Sequence, residues 1–194
     1  ACGSNSTIAG GSSNTTSGSR LFIGGGISNT ASTNDAAVIG GKDNTASGQR
    51  SSVVGGKENT ASGNFSTIAG GQNNTASSCW SSILGGLSAT ASGQRSSVIG
   101  GKDNVASGDN SSVVSGLGNK ACAACSSVIG GISNTASGLR SFIAGGQNNT
   151  TNYSDTFILG SNITASQAST TFVNNLSAQC SLYAGSINVG SLSA

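Results

Sequence analysis

A repeat of fifteen residues constrains the fold of this chain more than any other feature. One copy, over residues 96–110, reads Ser-Ser-Val-Ile-Gly-Gly-Lys-Asp-Asn-Val-Ala-Ser-Gly-Asp-Asn. When Ser96 is counted as position one, ten full units follow each other from Ser6 without insertion or deletion, with partial units at both ends. Each position keeps its chemistry at this short, fixed period. The sequence therefore predicts stacked coils of a β-solenoid, each contacting only its neighbours.

The chemistry of single positions predicts how one coil turns. Position three is always Val or Ile, positions five and six are nearly always Gly-Gly, and position nine is Asn in every full unit except at Ala89. Positions one to five are predicted to form one short strand, and positions ten to twelve a second strand. Gly and Asn tolerate left-handed backbone, so they are predicted to form the corners. In two representative coils these turn residues are Gly55, Gly56, Asn59, Gly100, Gly101 and Asn104.

The first predicted strand is apolar at positions three and four, and neighbouring residues of a strand point to opposite faces. One set of side chains fills the narrow coil interior, and the other needs a cover. The position-three residues are candidates both for this core stripe and for an interface between copies of the chain: Val38, Val53, Ile68, Ile83, Val98, Val113, Val128 and Ile143. We therefore expect the chain to associate with itself, and we expect Asp at positions 98 and 113 to dissociate or insolubilise the assembly.

Composition excludes several classes of protein. Charged residues make up 7% of the chain, the net charge is +2, and no Lys or Arg run forms a stripe, which argues against nucleic acid as a partner. No apolar stretch reaches the length of a transmembrane helix, so this segment is not expected to insert into a membrane. The array is already under way at Ala1, and no Met precedes it. We expect flanking segments of a longer parent chain.

The repeat units resemble those of a known family. Ser-Ser-Val-Val-Gly-Gly-Lys-Glu-Asn-Thr-Ala-Ser-Gly at 51–63 and Ser-Thr-Ile-Ala-Gly-Gly-Gln-Asn-Asn-Thr-Ala-Ser at 66–77 are similar to head repeats of trimeric autotransporter adhesins. Similar repeats occur in phage tail fibres and in surface fibres of large viruses. Over residues 1–166 the resemblance implies an all-β, left-handed parallel β-roll that forms a homotrimer and attaches to an unknown host-surface receptor or glycan. Residues 167–194 look like a separate β-rich connector of such fibres.

Residues suited to catalysis are scarce. The chain has no His, and we expect neither an enzyme nor a bound cofactor. Asp43 and Glu58 share position eight in adjacent coils, and a glycosidase needs two neighbouring carboxylates. Lys42 and Lys57 stand next to them, however, and the four side chains together predict a solvated charge cluster.

Two other groups of residues leave alternatives open. Cys122 and Cys125 have the spacing of a redox motif, but no second pair completes a metal site. A local disulfide and two plain thiols are the remaining interpretations. The second group shares position fifteen, and its Arg and aromatic side chains either bind a partner such as a sugar or stabilise the stacked coils. Its members are Arg50, Phe65, Trp80 and Arg95.

Positions ten and twelve form two ranks of outward hydroxyls. Position ten carries Thr15, Thr30, Thr45, Thr60, Thr75, Thr90, Thr135 and Thr150, and position twelve carries Ser17, Ser32, Ser47, Ser62, Ser77, Ser92, Ser107 and Ser137. Such ranks resemble the flat Thr-x-Thr arrays of ice-binding solenoids. Val105, Lys120 and Cys122 interrupt them, and Ser lacks the methyl group that helps Thr to order water. These interruptions predict a solvated face without ice activity.

The sequence as a whole favours a structural, adhesive fibre segment outside the cell, on a virion, phage tail or cell surface. The head of a bacterial adhesin and an ice-binding solenoid are the alternatives.

Overall fold

A computed structural model describes residues 3–174 and shows a parallel β-solenoid of short strands and turns. The strands are β1 (Thr7–Ile8), β2 (Thr15–Thr16), β3 (Phe22–Ile23), β4 (Thr30–Ala31), β5 (Ala37–Val38), β6 (Thr45–Ala46), β7 (Ser52–Val53), β8 (Thr60–Ala61), β9 (Thr67–Ile68), β10 (Thr75–Ala76), β11 (Ser82–Ile83), β12 (Thr90–Ala91), β13 (Ser97–Val98), β14 (Val105–Ala106), β15 (Ser112–Val113), β16 (Lys120–Ala121), β17 (Ser127–Val128), β18 (Thr135–Ala136), β19 (Phe142–Ile143), β20 (Thr150–Thr151), β21 (Phe157–Leu159) and β22 (Thr171–Val173). Over this part of the chain, no helix is long and apolar enough to cross a membrane.

The strands form two parallel sheets along the solenoid. The odd-numbered strands from β1 to β21 continue into β22 and make a 12-stranded sheet, and the even-numbered strands from β2 to β20 make a 10-stranded sheet. Each strand pairs in register with the next coil, as Thr60 does with Thr75. Position seven adds a third column of isolated parallel bridges, such as Lys42 with Lys57. The predicted all-β solenoid is thus confirmed, whereas this third column was not foreseen.

The coil interior is filled by positions three and eleven. Val53 and Ala61 are both completely buried. All eight position-three residues named above are at most 1% exposed, which makes them core residues and leaves no surface for contact with another copy. The exposed apolar stripe lies instead at position four. The expected effect of Asp at positions 98 and 113 changes accordingly, because a carboxylate there would be buried in the coil and would unfold it.

The Asn at position nine lies inside the coil and does not form a left-handed corner. Asn59 is fully buried, and its Nδ2 donates to the carbonyls of Gly55 at 3.0 Å and Gly71 at 2.9 Å. Its Oδ1 accepts the backbone N–H of Asn74 in the next coil at 3.0 Å. Asn104 is likewise buried and bonded to two backbone carbonyls. The amide is retained inside because it satisfies backbone groups that the tight corner would leave unpaired.

Left-handed backbone occurs at positions eight and fifteen, for example at Glu58 with φ of 58° and at Trp80 with φ of 62°. In the two representative coils only the second corner glycine has a positive φ, which is 90° at Gly56 and 87° at Gly101. Gly55 and Gly100 thus lie at the predicted corner, but without the left-handed backbone that was expected there. The residue at position five contributes its carbonyl, which accepts a hydrogen bond from the side-chain amide of the Asn at position nine.

The 12-stranded sheet continues past residue 166. Thr171 pairs with Phe157 in parallel register, so β22 extends the sheet beyond the predicted boundary of the repeat array. The remaining predicted tail, residues 175–194, lies outside the described residues.

Candidate functional site

The solenoid has two broad outward faces. Because successive residues of a strand point to opposite sides, burial of positions three and eleven turns their neighbours outward. We call positions ten and twelve, on the 10-stranded sheet, the Thr face. Positions two and four, on the 12-stranded sheet, form the aliphatic face. The two faces lie on opposite sides of the shared core.

The Thr face is uniform over its first six coils. From Thr15 to Thr90 every position ten is Thr, and from Ser17 to Ser92 every position twelve is Ser. The register of the sheet aligns these residues in straight ranks, as Thr75 with Thr60 and with Thr90. The interruptions predicted from the sequence, at Val105, Lys120 and Cys122, all lie in later coils.

The hydroxyls of the Thr face are free of intramolecular partners. Within residues 3–174, no side chain of the position-ten Thr or position-twelve Ser ranks makes a hydrogen bond, and only backbone atoms of these residues are bonded. On the aliphatic face, by contrast, Ser52 donates to Thr67 at 3.3 Å, and the hydroxyls of Ser112 and Ser127 are 2.9 Å apart. The Thr face therefore offers its donors and acceptors to water.

Charge is concentrated at the corners. In residues 3–174, Lys120 is the only charged residue that belongs to a strand. At one corner, Arg20 binds Asp35 of the next coil through two hydrogen bonds of 2.6 and 2.9 Å. These bonds hold the pKa of Asp35 below its ordinary value, with the positive charge of Arg20 as a further cause. Arg140 and Asp155 repeat the arrangement, and the pKa of Asp155 is lowered in the same way.

The aliphatic face is uneven. Its large exposed side chains at position four range in exposed fraction from 40% at Ile129 to 60% at Leu84. Position two varies from Ala37 to Phe22, so the height of the surface changes from coil to coil. The Thr face is more regular, because position ten is Thr and position twelve is Ser in six successive coils.

The predicted ladder at position fifteen forms one stacked column. Phe65 and Trp80 are parallel within 3°, with ring centroids 4.2 Å apart. The guanidinium carbon of Arg50 lies 5.3 Å from the Phe65 centroid. Phe65 is thus covered on both faces and has no free face on which a sugar could stack. Arg95 extends the column through a bond to Asn110 at 3.4 Å. For Phe65 this geometry favours the stabilising interpretation, whereas Trp80 is 54% exposed.

Cys122 and Cys125 are exposed free thiols in the structure, which corresponds to the second of the two interpretations left open. Cys122 lies on the Thr face in the same coil as Lys120. Over the described range, residues 3–174, no three His, Cys, Asp or Glu side chains come together as metal ligands.

Comparison with known proteins identifies the family. No curated protein matches the chain significantly. The family model of the grass antifreeze beta roll matches residues 17–114, which is half of the chain. This stretch contains nearly all of the uninterrupted Thr face. The prediction of a β-roll is confirmed, whereas the match is not to repeats of the autotransporter adhesin type, and it favours the ice-binding alternative over the adhesive fibre. The chain belongs to the grass antifreeze beta-roll family.

Proposed function

We propose that the protein binds ice through the Thr face between Thr15 and Ser92. The observation that carries this proposal is the unbroken double rank of unbonded hydroxyls over six coils. The family match supports it, because the matched stretch and the uniform part of the face coincide.

The repeat provides a regular grid for water. Successive coils are about 4.8 Å apart, and two residues of one strand that point to the same side are roughly 6.6 Å apart. Each hydroxyl on the grid can donate one hydrogen bond and accept others. Each Thr methyl group beside it restricts the orientations of first-shell water. Water held in this way is already ordered and can join the ice surface.

Rigidity makes the grid effective, because ordering the side chains costs free energy at binding unless the fold has ordered them in advance. Two features of the interior fix the coil spacing: the buried Val and Ile rank, and the Asn ladder that joins Asn59 to Asn74. Side-chain ladders of this kind are among the features that keep a sheet flat.

Partition into slowly growing ice tests the proposal. The test variant carries Thr75→Lys and Thr90→Lys, which place two long, strongly hydrated cations on the grid. The control carries Gln72→Lys and Leu87→Lys in the same two coils, at position seven, where Lys42 and Lys57 already stand in other coils.

We expect the unmodified protein and the control to be concentrated in the ice. The fraction of the test variant that enters the ice should be several-fold lower than that of the control. Equal partition of the two variants would contradict the Thr face as the binding surface. The adhesive fibre segment, a homotrimer bound to an unknown receptor, stays the alternative and predicts exclusion of all three proteins from ice. Either function would act outside the cell.

A further inference from the structure

We infer that the aliphatic face is a self-association surface, on which a second copy of this chain packs face to face with its solenoid antiparallel. The first observation is a rank of exposed aliphatic side chains at position four. Its larger exposed members are Ile39, Val54, Leu84, Ile99, Ile129 and Leu159. This proposal does not depend on ice binding, because it concerns the opposite face.

The size of the face fits a stable pair. Twelve strands at about 4.8 Å give a length of roughly 55 Å, and two outward ranks give a width of roughly 10 Å. Each copy would then bury about 550 Å², or about 1,100 Å² for the pair, and specific interfaces begin at about 1,000 Å². Only a partner with an apolar face of about the same length can cover the whole stripe, and a second copy has such a surface.

The face is also complementary to itself. An isologous interface places the same patch of both copies in contact. With a two-fold axis along the strand direction, the aliphatic rank of one copy meets the aliphatic rank of the other, and position two meets position two. Hydroxyls such as Ser82 and Ser97 then oppose hydroxyls and can bond across the interface. If the two solenoids ran parallel, the hydroxyls of one copy would face the aliphatic side chains of the other. The hydroxyls would then be buried without hydrogen-bond partners, which is costly.

Charge does not oppose this pairing. In the part of the chain that the structure describes, positions two and four carry no charged residue, so two identical faces can approach without like-charge repulsion. A single apolar face covers one partner, whereas a three-fold assembly would need two different surfaces of each copy. We therefore infer two copies. Their Thr faces remain uncovered and point away from each other.

Sedimentation equilibrium on matched variants tests the inference. The test variant carries Leu84→Glu and Ile99→Glu on the aliphatic face. The control carries Leu87→Glu and Ile132→Glu at position seven, where the side chains are also exposed, by 38% and 47%, but lie off the face. Circular dichroism melting of each variant establishes that it is folded.

We expect a dimer at micromolar concentration for the unmodified protein and the control. The test variant is expected to dissociate at least about tenfold more readily, because unpaired carboxylates would be buried at its interface. A monomeric unmodified protein, a trimer, or equal weakening in both variants would overturn the inference. If the test variant does not fold, Val54→Ser and Ile129→Ser replace it, with the same expectation.

Discussion

Asn74 donates its backbone N–H to Oδ1 of Asn59 in the preceding coil at 3.0 Å. The same bond recurs from coil to coil, as between Asn134 and Asn119. The series of amides is interrupted at Ala89, whose backbone N–H donates to Asn74 but whose side chain offers no amide to the next coil. The Asn ladder thus links successive coils inside the solenoid and lacks one amide, at Ala89.

Changes at this ladder should act in opposite directions. Asn59→Ala removes three hydrogen bonds and leaves buried backbone groups unpaired, so we expect a loss of about 3 kcal/mol in the free energy of unfolding. Ala89→Asn should supply the missing amide and raise the free energy of unfolding by about 1 kcal/mol. Chemical denaturation of both variants measures the two effects. A destabilised Ala89→Asn variant would show that the ladder is not a source of stability.

The corner glycines should respond differently although they are adjacent. A methyl group on Gly55 would meet no heavy atom within 4 Å, and its backbone has no positive φ. Gly55→Ala should therefore change stability by less than about 0.5 kcal/mol. Gly56 has φ of 90°, and a Cβ there would collide with the carbonyl of Gly71. Gly56→Ala should cost at least about 2 kcal/mol. Similar melting temperatures for the two variants would contradict this assignment of the corner.

Stability should fall in acid because of the corner ion pairs. Hydrogen bonds from Arg20 and Arg140 lower the pKa values of Asp35 and Asp155 in the folded chain. The stabilisation is complete above the unfolded carboxyl pKa of about 3.9 and is lost as the pH falls through the lower folded pKa values. We expect the melting temperature to drop modestly below about pH 4. The double variant Asp35→Asn, Asp155→Asn should show a smaller drop, and an unchanged drop would exclude these pairs as its cause.

The repeat alone predicted the solenoid, because a fixed period leaves few ways to stack coils. It did not predict which of two adjacent apolar residues points inward. Val53 is buried and Val54 is about half exposed, yet both belong to a strand too short for its alternation to be read from the sequence. The buried Asn59 was also missed, because polar residues with local bonding capacity are more often found in surface turns.

The hydroxyl ranks were identified from the sequence, but the ice-binding alternative, which the family match favours, was given too little weight. Val105 and Lys120 were taken to interrupt the whole array of hydroxyls. Both residues, however, lie beyond the six uniform coils. Units of this kind also resemble those of adhesive fibres, and one fold serves several functions. The absence of hydrogen bonds at the Thr hydroxyls became visible only in three dimensions.

Repair of the interrupted coils should extend the Thr face. Val105→Thr, Lys120→Thr and Cys122→Ser together would make position ten Thr without a break from Thr15 to Thr150. We expect a larger thermal hysteresis at equal concentration, because more hydroxyls and methyl groups contact ice at once.

The matched control for this repair replaces Lys102 by Thr and Cys125 by Ser at the corners, and it should leave the hysteresis unchanged. An equal gain in the control, or no gain from the repair, would contradict the predicted extent of the face.

Thermal hysteresis of the unmodified protein, recorded together with the shape of a single ice crystal, tests ice binding most directly. Adsorption of the Thr face to ice predicts a freezing point below the melting point, with a gap that grows with protein concentration, and a faceted crystal between the two temperatures. Coincident freezing and melting points, with a round and unfaceted crystal at every concentration, would contradict ice binding by this protein.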